Sequence, residues 1–333
     1  MRFKQKATLA FAVFAMFATN YVAAQTTLLN VSYDVAREFY KDYNAAFIAN
    51  YKKTTGKDIK IDQAHGGSSA QARAVNDGLE ADVVTMNTRT DIDFLASTGV
   101  VAKDWAKRFP GNASPTSSTM LFLVRNGNPK GIKDWDDLIK PGIQVIVVNP
   151  KTGGNGRYAY LAAWGQVRKK GGTDAQAAEF VGKLYKNVPV LAKGGRDATT
   201  IFLQRNIGDV LVTFESEVVS VDREFGAGKV DAIHPPISIV AENPVAIVER
   251  TVAKKGTAVQ AKAYLDYLYS DEAQEIAAKH ALRPRSPAIL KKYASTFKPL
   301  QLFSVNDYFG SLGEAQKVHF NDGGQFDKLY TVK

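Results

Sequence analysis

The chain has 333 residues, 45% hydrophobic and 23% charged, which is enough apolar content for one large or two smaller folded units. It carries a formal net charge of +10 and no cysteine, so disulfides play no part in its stability. Its basic pairs, Lys52-Lys53, Lys169-Lys170, Lys254-Lys255 and Lys291-Lys292, are scattered, which argues for solvated faces and against a nucleic-acid stripe.

Arg2, Lys4 and Lys6 precede an apolar stretch over residues 7–18, and Val22-Ala23-Ala24 follows with small residues. This predicts a secretory signal peptide over residues 1–24, cut after Ala24. The apolar run is well short of the ~20 residues that a spanning helix needs. Cleavage would lower the net charge to +7, and no cysteine stands at the cleavage site for lipid attachment. The expected location is a bacterial periplasm.

Strands and helices then alternate. Residues 28–31 read as a strand, followed by Tyr33-Asp34 and a helix to about residue 53. Residues 59–63 alternate as a strand should, and Ala72, Val75 and Leu79 mark one face of a helix over 69–79. Residues 82–86 form the next strand, and the apolar run 119–124 reads as a crossover strand leaving a first lobe. A second series follows: strand 144–148, helix 158–168, strand 188–191, helix 198–204 and strand 209–214. The chain returns through 244–248 and ends in helices over 258–269 and 271–279 with a less regular tail. The alternation predicts an α/β fold of two lobes, each a mostly parallel sheet flanked by helices. The first lobe takes 25–115, the second 116–240, and 241–333 returns to the first, with a further crossover to the second left open.

Three places share one design, an apolar strand followed by a glycine-containing loop and a helix. The loops are His65-Gly66-Gly67-Ser68-Ser69, Thr152-Gly153-Gly154-Asn155-Gly156 and Gly194-Gly195-Arg196. Glycine lets backbone approach a ligand closely and permits positive φ. The first N–H groups of a helix lack internal partners and sit at the positive end of the helix dipole. Three such ends facing one cleft amount to about 1.5 positive charges, a field suited to a dianion. Each loop alone is more often an ordinary turn. None forms a G-x-G-x-x-G fingerprint or a P-loop.

These residues carry a resemblance. Asn30-Val-Ser-Tyr-Asp-Val-Ala-Arg-Glu38, His65-Gly-Gly-Ser-Ser69, Lys133-Asp-Trp-Asp-Asp-Leu-Ile-Lys-Pro-Gly142 and Asn149-Pro-Lys-Thr-Gly-Gly-Asn-Gly-Arg157 stand in order. Tyr160-Leu-Ala-Ala-Trp-Gly165, Gly208-Asp-Val-Leu-Val-Thr-Phe-Glu-Ser-Glu-Val218, Tyr264-Leu-Asp-Tyr-Leu-Tyr-Ser270 and Arg283-Pro284-Arg285 continue the series. The chain resembles the periplasmic sulfate- and thiosulfate-binding proteins of bacterial ABC importers. The resemblance implies a type II periplasmic binding fold that closes on its ligand and delivers it to a membrane permease, with no chemistry of its own. It implies ligand contacts at Ser68, Ser69, Gly153, Gly154, Asn155, Gly195, Arg196 and Phe214. Two positions depart from the sulfate binders. Gly153 stands where a hydroxyl residue is common, and Phe214 stands where an indole N–H is used. Thr199-Thr200 and the stretch from Phe214 to Val218 look more like the thiosulfate branch, so both anions remain open as ligands.

Tyr33 and Asp34 are expected to brace the first loop. Arg157 and Arg196 each follow a glycine at a helix start and read either as a bidentate clamp on the anion or as a brace of the loop. His65 reads as a loop brace, because no metal partner is spaced nearby. Glu215 and Glu217 alternate with Ser216 and read as a solvated edge. His65-Gly66-Gly67 matches in part an esterase oxyanion motif, but no G-x-S-x-G elbow is present, which leaves an exported hydrolase without a nucleophile. Neither a cofactor nor a metal is expected, and the protein is expected to act as a monomer. Another tetrahedral oxyanion such as molybdate, or a chemoreceptor-linked role, stays open at this point.

Overall fold

The computed structural model describes residues 25–330. The expected signal peptide lies outside them. In chain order the strands are β1 (Thr26–Tyr33), β2 (Ile59–Gly66), β3 (Val83–Thr85), β4 (Thr116–Arg125), β5 (Val145–Val148) and β6 (Leu191–Ala192). They continue with β7 (Val210–Phe214), β8 (Val230–Ile233), β9 (Ile237–Asn243), β10 (Val245–Ile247), β11 (Arg283–Pro284) and β12 (Gln301–Phe303).

Two sheets result. The first has the order β10-β3-β1-β2, with β1 parallel to β2 and β3, and β10 antiparallel to β3. The second runs β12-β9-β4-β7-β5-β6, with β8 and β11 also on β4. Here β5, β6 and β7 are parallel, whereas the long crossover strand β4 is antiparallel to β7, β8, β9 and β11. The second sheet is therefore mixed, and its parallel part is the one that feeds helices towards the site.

Each sheet has its own core. Leu28, Val31, Tyr43, Phe47, Val84 and Tyr264 belong to the first, and Phe122, Trp135, Val145, Tyr160, Val212 and Phe303 to the second. The chain passes between them three times: before β4, at Pro244 between β9 and β10, and after Leu282 through β11 to β12. The final segment joins the second core through Phe309, Phe320 and Phe326.

Local differences from the sequence pattern have physical causes. The strand read over 188–191 shrinks to β6, because Pro189 offers no N–H for a ladder bond. The helix read over 198–204 starts at Gly195 and widens after Thr199 into a π-helical turn over Thr200–Gln204. An amphipathic helix at Asp174–Lys186, capped by a reciprocal Thr173–Gln176 box, has no counterpart in the sequence reading.

Candidate functional site

In a parallel sheet every strand ends on the same side, so helices that follow begin there and their N-termini share one crevice. β2 leads into the Ser68–Asn76 helix, β5 into Gly154–Lys169 and β6 into Gly195–Thr199. The three loops meet. A methyl group on Gly67 would lie 3.7 Å from the Thr152 carbonyl oxygen and 3.9 Å from that of Lys193. The Thr152 hydroxyl donates to the Lys193 carbonyl at 3.1 Å.

These helices share a glycine start. Their N-cap residues are Gly67, Gly153 and Gly194, and none makes a side-chain capping bond. At four other helices Asp134, Thr173, Ser270 and Ser311 stand at the cap, and their own oxygens take orphan N–H groups. Glycine caps leave those donors for something else. The glycines are not there for positive φ, as φ is −59° at Gly67, −149° at Gly153 and −165° at Gly194. Close approach accounts for others. A methyl on Gly154 would lie 2.2 Å from Asn87 Oδ1, one on Gly156 2.3 Å from the Val148 carbonyl oxygen, and one on Gly195 2.7 Å from Val35 Cγ2.

Ser68 and Ser69 are both buried. The Ser68 hydroxyl donates to Met86 Sδ at 3.5 Å and accepts from the Asn87 N–H at 3.4 Å. The Ser69 hydroxyl donates to Asp91 Oδ1 at 2.8 Å. The Gly153 N–H donates to the Asn149 carbonyl at 3.2 Å, so the first turn of that helix offers Gly154 and Asn155 as outward donors rather than Gly153. Buried Asn155 donates from Nδ2 to Thr213 Oγ1 at 3.0 Å, while its Oδ1 has no partner. Phe214 follows Thr213 on β7, so its ring takes the opposite face and packs edge-on to Tyr158 with centroids 6.0 Å apart.

The two arginines are both engaged with protein. Arg157 is buried and donates to the Pro150 carbonyl at 3.1 Å, Thr90 Oγ1 at 2.9 Å and Ser69 Oγ at 3.1 Å, with Asp91 Oδ1 at 3.5 Å. It thereby ties the second lobe to the first. Arg196 contributes its backbone N–H to Asp34 Oδ2 at 3.2 Å, and its half-exposed guanidinium pairs with Glu224.

Asp34 therefore braces the third loop rather than the first: Oδ2 also lies 3.0 Å from where a Gly194 side chain would begin, and Oδ1 accepts from the Val35 N–H at 3.1 Å. Burial pushes the Asp34 carboxyl up, opposed by the Arg196 and Val35 N–H groups. His65 contacts the Tyr33 carbonyl through Nδ1 at 3.1 Å and Gln63 Oε1 through Nε2 at 2.5 Å, and burial lowers its affinity for a proton. Burial likewise drives the Tyr33 phenol well above its ordinary value.

The solvated edge expected at Glu215 and Glu217 is not found, because both are buried where the lobes meet. Arg283 donates to Glu215 at 2.7 and 2.9 Å. Glu217 Oε2 has no partner, and burial pushes this carboxyl up to about 8, with Asp34 and Glu224 adding to the effect and Arg196 opposing it. The glycine pattern also misses strand-to-helix turns that contain no glycine, among them Asp34-Val35 after β1 and Asn87-Thr88 after β3. The polar pair Asn87-Thr88 ahead of the Arg89–Ser97 helix is the signal that could have marked the latter. Among the described residues no group of three or more His, Asp or Glu is placed to hold a metal ion.

Residues 33–283 match the family described as bacterial extracellular solute-binding protein. A thiosulfate-binding protein of Pseudomonas aeruginosa is 57% identical over 309 residues, covering 92% of this chain and 93% of the relative. A sulfate-binding protein of Escherichia coli is 49% identical over 317 residues, covering 95% and 96%. The solved sulfate-binding protein of Mycobacterium tuberculosis superposes with a TM-score of 0.81 at 31% identity, covering 88% of this chain and 99% of that one. Its sequence, its two-lobed α/β fold and its converging helix starts agree, and the chain belongs to the bacterial extracellular solute-binding protein family.

Proposed function

We propose that this protein is the exported, periplasmic solute-binding component of an ABC importer and that it captures sulfate or thiosulfate as a monomer for delivery to a membrane permease. The observation that carries this reading is the meeting of three glycine-capped helix starts from both lobes. In this reading the donors are the N–H groups of Ser68, Ser69, Gly154, Asn155 and Gly195. They supply about 1.5 positive charges of dipole field to the anion. No arginine charge is spent on the ligand, since Arg157 is tied to Asp91, Ser69 and Thr90, and Arg196 to Glu224. A site built from dipoles holds a dianion and still releases it when the lobes part.

Thiosulfate stands beside sulfate for a chemical reason. Gly153 supplies no side-chain donor, its N–H is used within the loop, and Phe214 has no N–H. Each hydrogen bond lost to a charged ligand costs about 1.5–3 kcal/mol. The terminal sulfur of thiosulfate is larger than oxygen and a poorer acceptor, so it forfeits least at such positions. The relatives that match over nearly their whole length are named for both anions. The protein performs no turnover in this reading. Calorimetric titration with sulfate, thiosulfate, molybdate and phosphate tests it. One saturable site for sulfate or thiosulfate, with phosphate about 5- to 150-fold weaker as expected when a protonated oxygen meets only donors, supports it. A preference for molybdate or phosphate would overturn it.

A further inference from the structure

Glu217 is a buried acid at the lobe junction, and one of its carboxyl oxygens is not committed to a neighbour. It is the second residue of the Ser216–Phe225 helix, directly after β7. Its Oε2 has no partner and lies 3.6 Å from the point where a side chain of Gly195 would begin. That same point is 3.7 Å from Asn155 Nδ2. Glu217 thus stands directly behind two residues of the anion site, and the side-chain amide oxygen of Asn155 is also without a partner. Asp34 and Glu215, the neighbouring acids, are by contrast occupied by N–H donors and by Arg283.

The described residues around Glu217 offer it little positive charge. It lines a cavity of about 310 Å³ with Asp34, Arg37, Glu38, Arg196, Ser220 and Glu224. Tyr33 faces it as well, as a neutral phenol. Arg196 is already paired with Glu224. Arg37 is exposed and belongs to the other lobe. Among the described residues, four carboxyl groups thus share the cavity with two guanidinium groups, and one of those is committed.

We propose that Glu217 is a positioning residue that must carry its proton for the anion to be held, so that anion capture is linked to a proton. The proposal rests on the functional reading above. A dianion at the Gly195 and Asn155 helix starts adds negative potential on the far side of the same backbone. A neutral acid tolerates that potential, and an ionised one opposes it. Burial already favours the neutral form, with the carboxyl pushed up to about 8. Anion binding raises the proton affinity further, because like charges disfavour ionisation. No bond is made or broken: below pH 8 the proton is already on Glu217, and above it the proton comes from the solvent.

The sign follows directly. Anion affinity is full below pH ~7 and falls as pH rises through about 8, approaching tenfold per pH unit, the limit for one linked proton. The test is calorimetry of thiosulfate and sulfate binding at pH 8.5 in two buffers of different ionisation enthalpy, with affinities from pH 6.5 to 9.5. We expect uptake of a substantial fraction of a proton per anion in the wild type. Glu217→Gln should show no uptake and a flat affinity profile. A second measurement needs no variant: the carboxyl ¹³C signal of Glu217 in the wild type should titrate at a higher pH with thiosulfate bound than without. Binding with no proton uptake, uptake that persists in Glu217→Gln, or an unmoved ¹³C midpoint overturns this inference alone. Failure of both anions to bind at every pH overturns the functional reading and this inference with it.

Discussion

Ser68 is the residue at which the anion account is most exposed to a single substitution. It is buried and is the first residue of its helix. Ser68→Asp would place a carboxylate among donors oriented for an anion, and thiosulfate binding should fall below calorimetric detection with an unchanged circular dichroism spectrum. Phe214 tests selectivity. Phe214→Trp restores an indole N–H, and the sulfate-to-thiosulfate affinity ratio should rise by about tenfold or more, the worth of one hydrogen bond to a charged group. A ratio that stays put removes Phe214 from ligand discrimination. Glu217 has a consequence for folding as well. Its carboxyl lies at about 8 against an ordinary 4.5, so the folded protein holds a proton that the unfolded chain has lost. The stability from that group is full below pH 4.5, declines by at most ~1.4 kcal/mol per pH unit above it, and is lost by about pH 8. Thermal melts from pH 5 to 8.5 should show the wild type losing Tm relative to Glu217→Gln as pH rises. Parallel curves would contradict the buried, neutral acid.

At the scale of elements, the sequence made the glycine-bearing turns visible but not what glycine does in them. Positive φ is the usual reason for glycine, and none of the three caps uses it. Their value is the absence of a capping oxygen, together with close approach one or two residues on. Gly154→Ala puts that to the test. Its methyl would sit 2.2 Å from Asn87 Oδ1 and 3.1 Å from Thr88 Cγ2, both on the opposite lobe. Forcing the lobes apart there should weaken anion binding by about 5- to 150-fold, the range of a ~1–3 kcal/mol overpacking penalty, with little change in thermal stability of the free protein. The turns after β1 and β3 escaped because Asp34-Val35 and Asn87-Thr88 carry no glycine. A search for a strand end followed by a helix start, whatever the loop composition, takes in these two as well.

At the scale of the molecule, the alternation of strands and helices was enough to read the α/β class, because the apolar period survives in both cores. What the pattern could not show was the face each lobe presents to the other. Glu215 and Glu217 look like a polar strand end in one dimension, and only the tertiary fold buries them. The antiparallel pairings of β4 were likewise out of reach, since periodicity fixes neither direction nor register. Arg157 illustrates the same limit. Sequence left it between an anion clamp and a brace, and it bonds to Ser69, Thr90 and Asp91 across the lobes. Arg157→Met should therefore lower affinity mainly by speeding anion release in stopped-flow traces, because the bonds it removes join the two lobes. A loss carried by slower association, with release unchanged, would make it a counter-ion after all.

The central claim, that backbone N–H groups at helix starts hold the anion, is tested most directly by amide ¹H–¹⁵N spectra of the protein titrated with thiosulfate. The account predicts large downfield amide proton shifts at Ser68, Gly154, Asn155 and Gly195, saturating together at one anion per chain, with small changes at the surface lysine pairs. Saturable binding that leaves those four amides unmoved, or shifts that concentrate on lysine and arginine side chains, would contradict it.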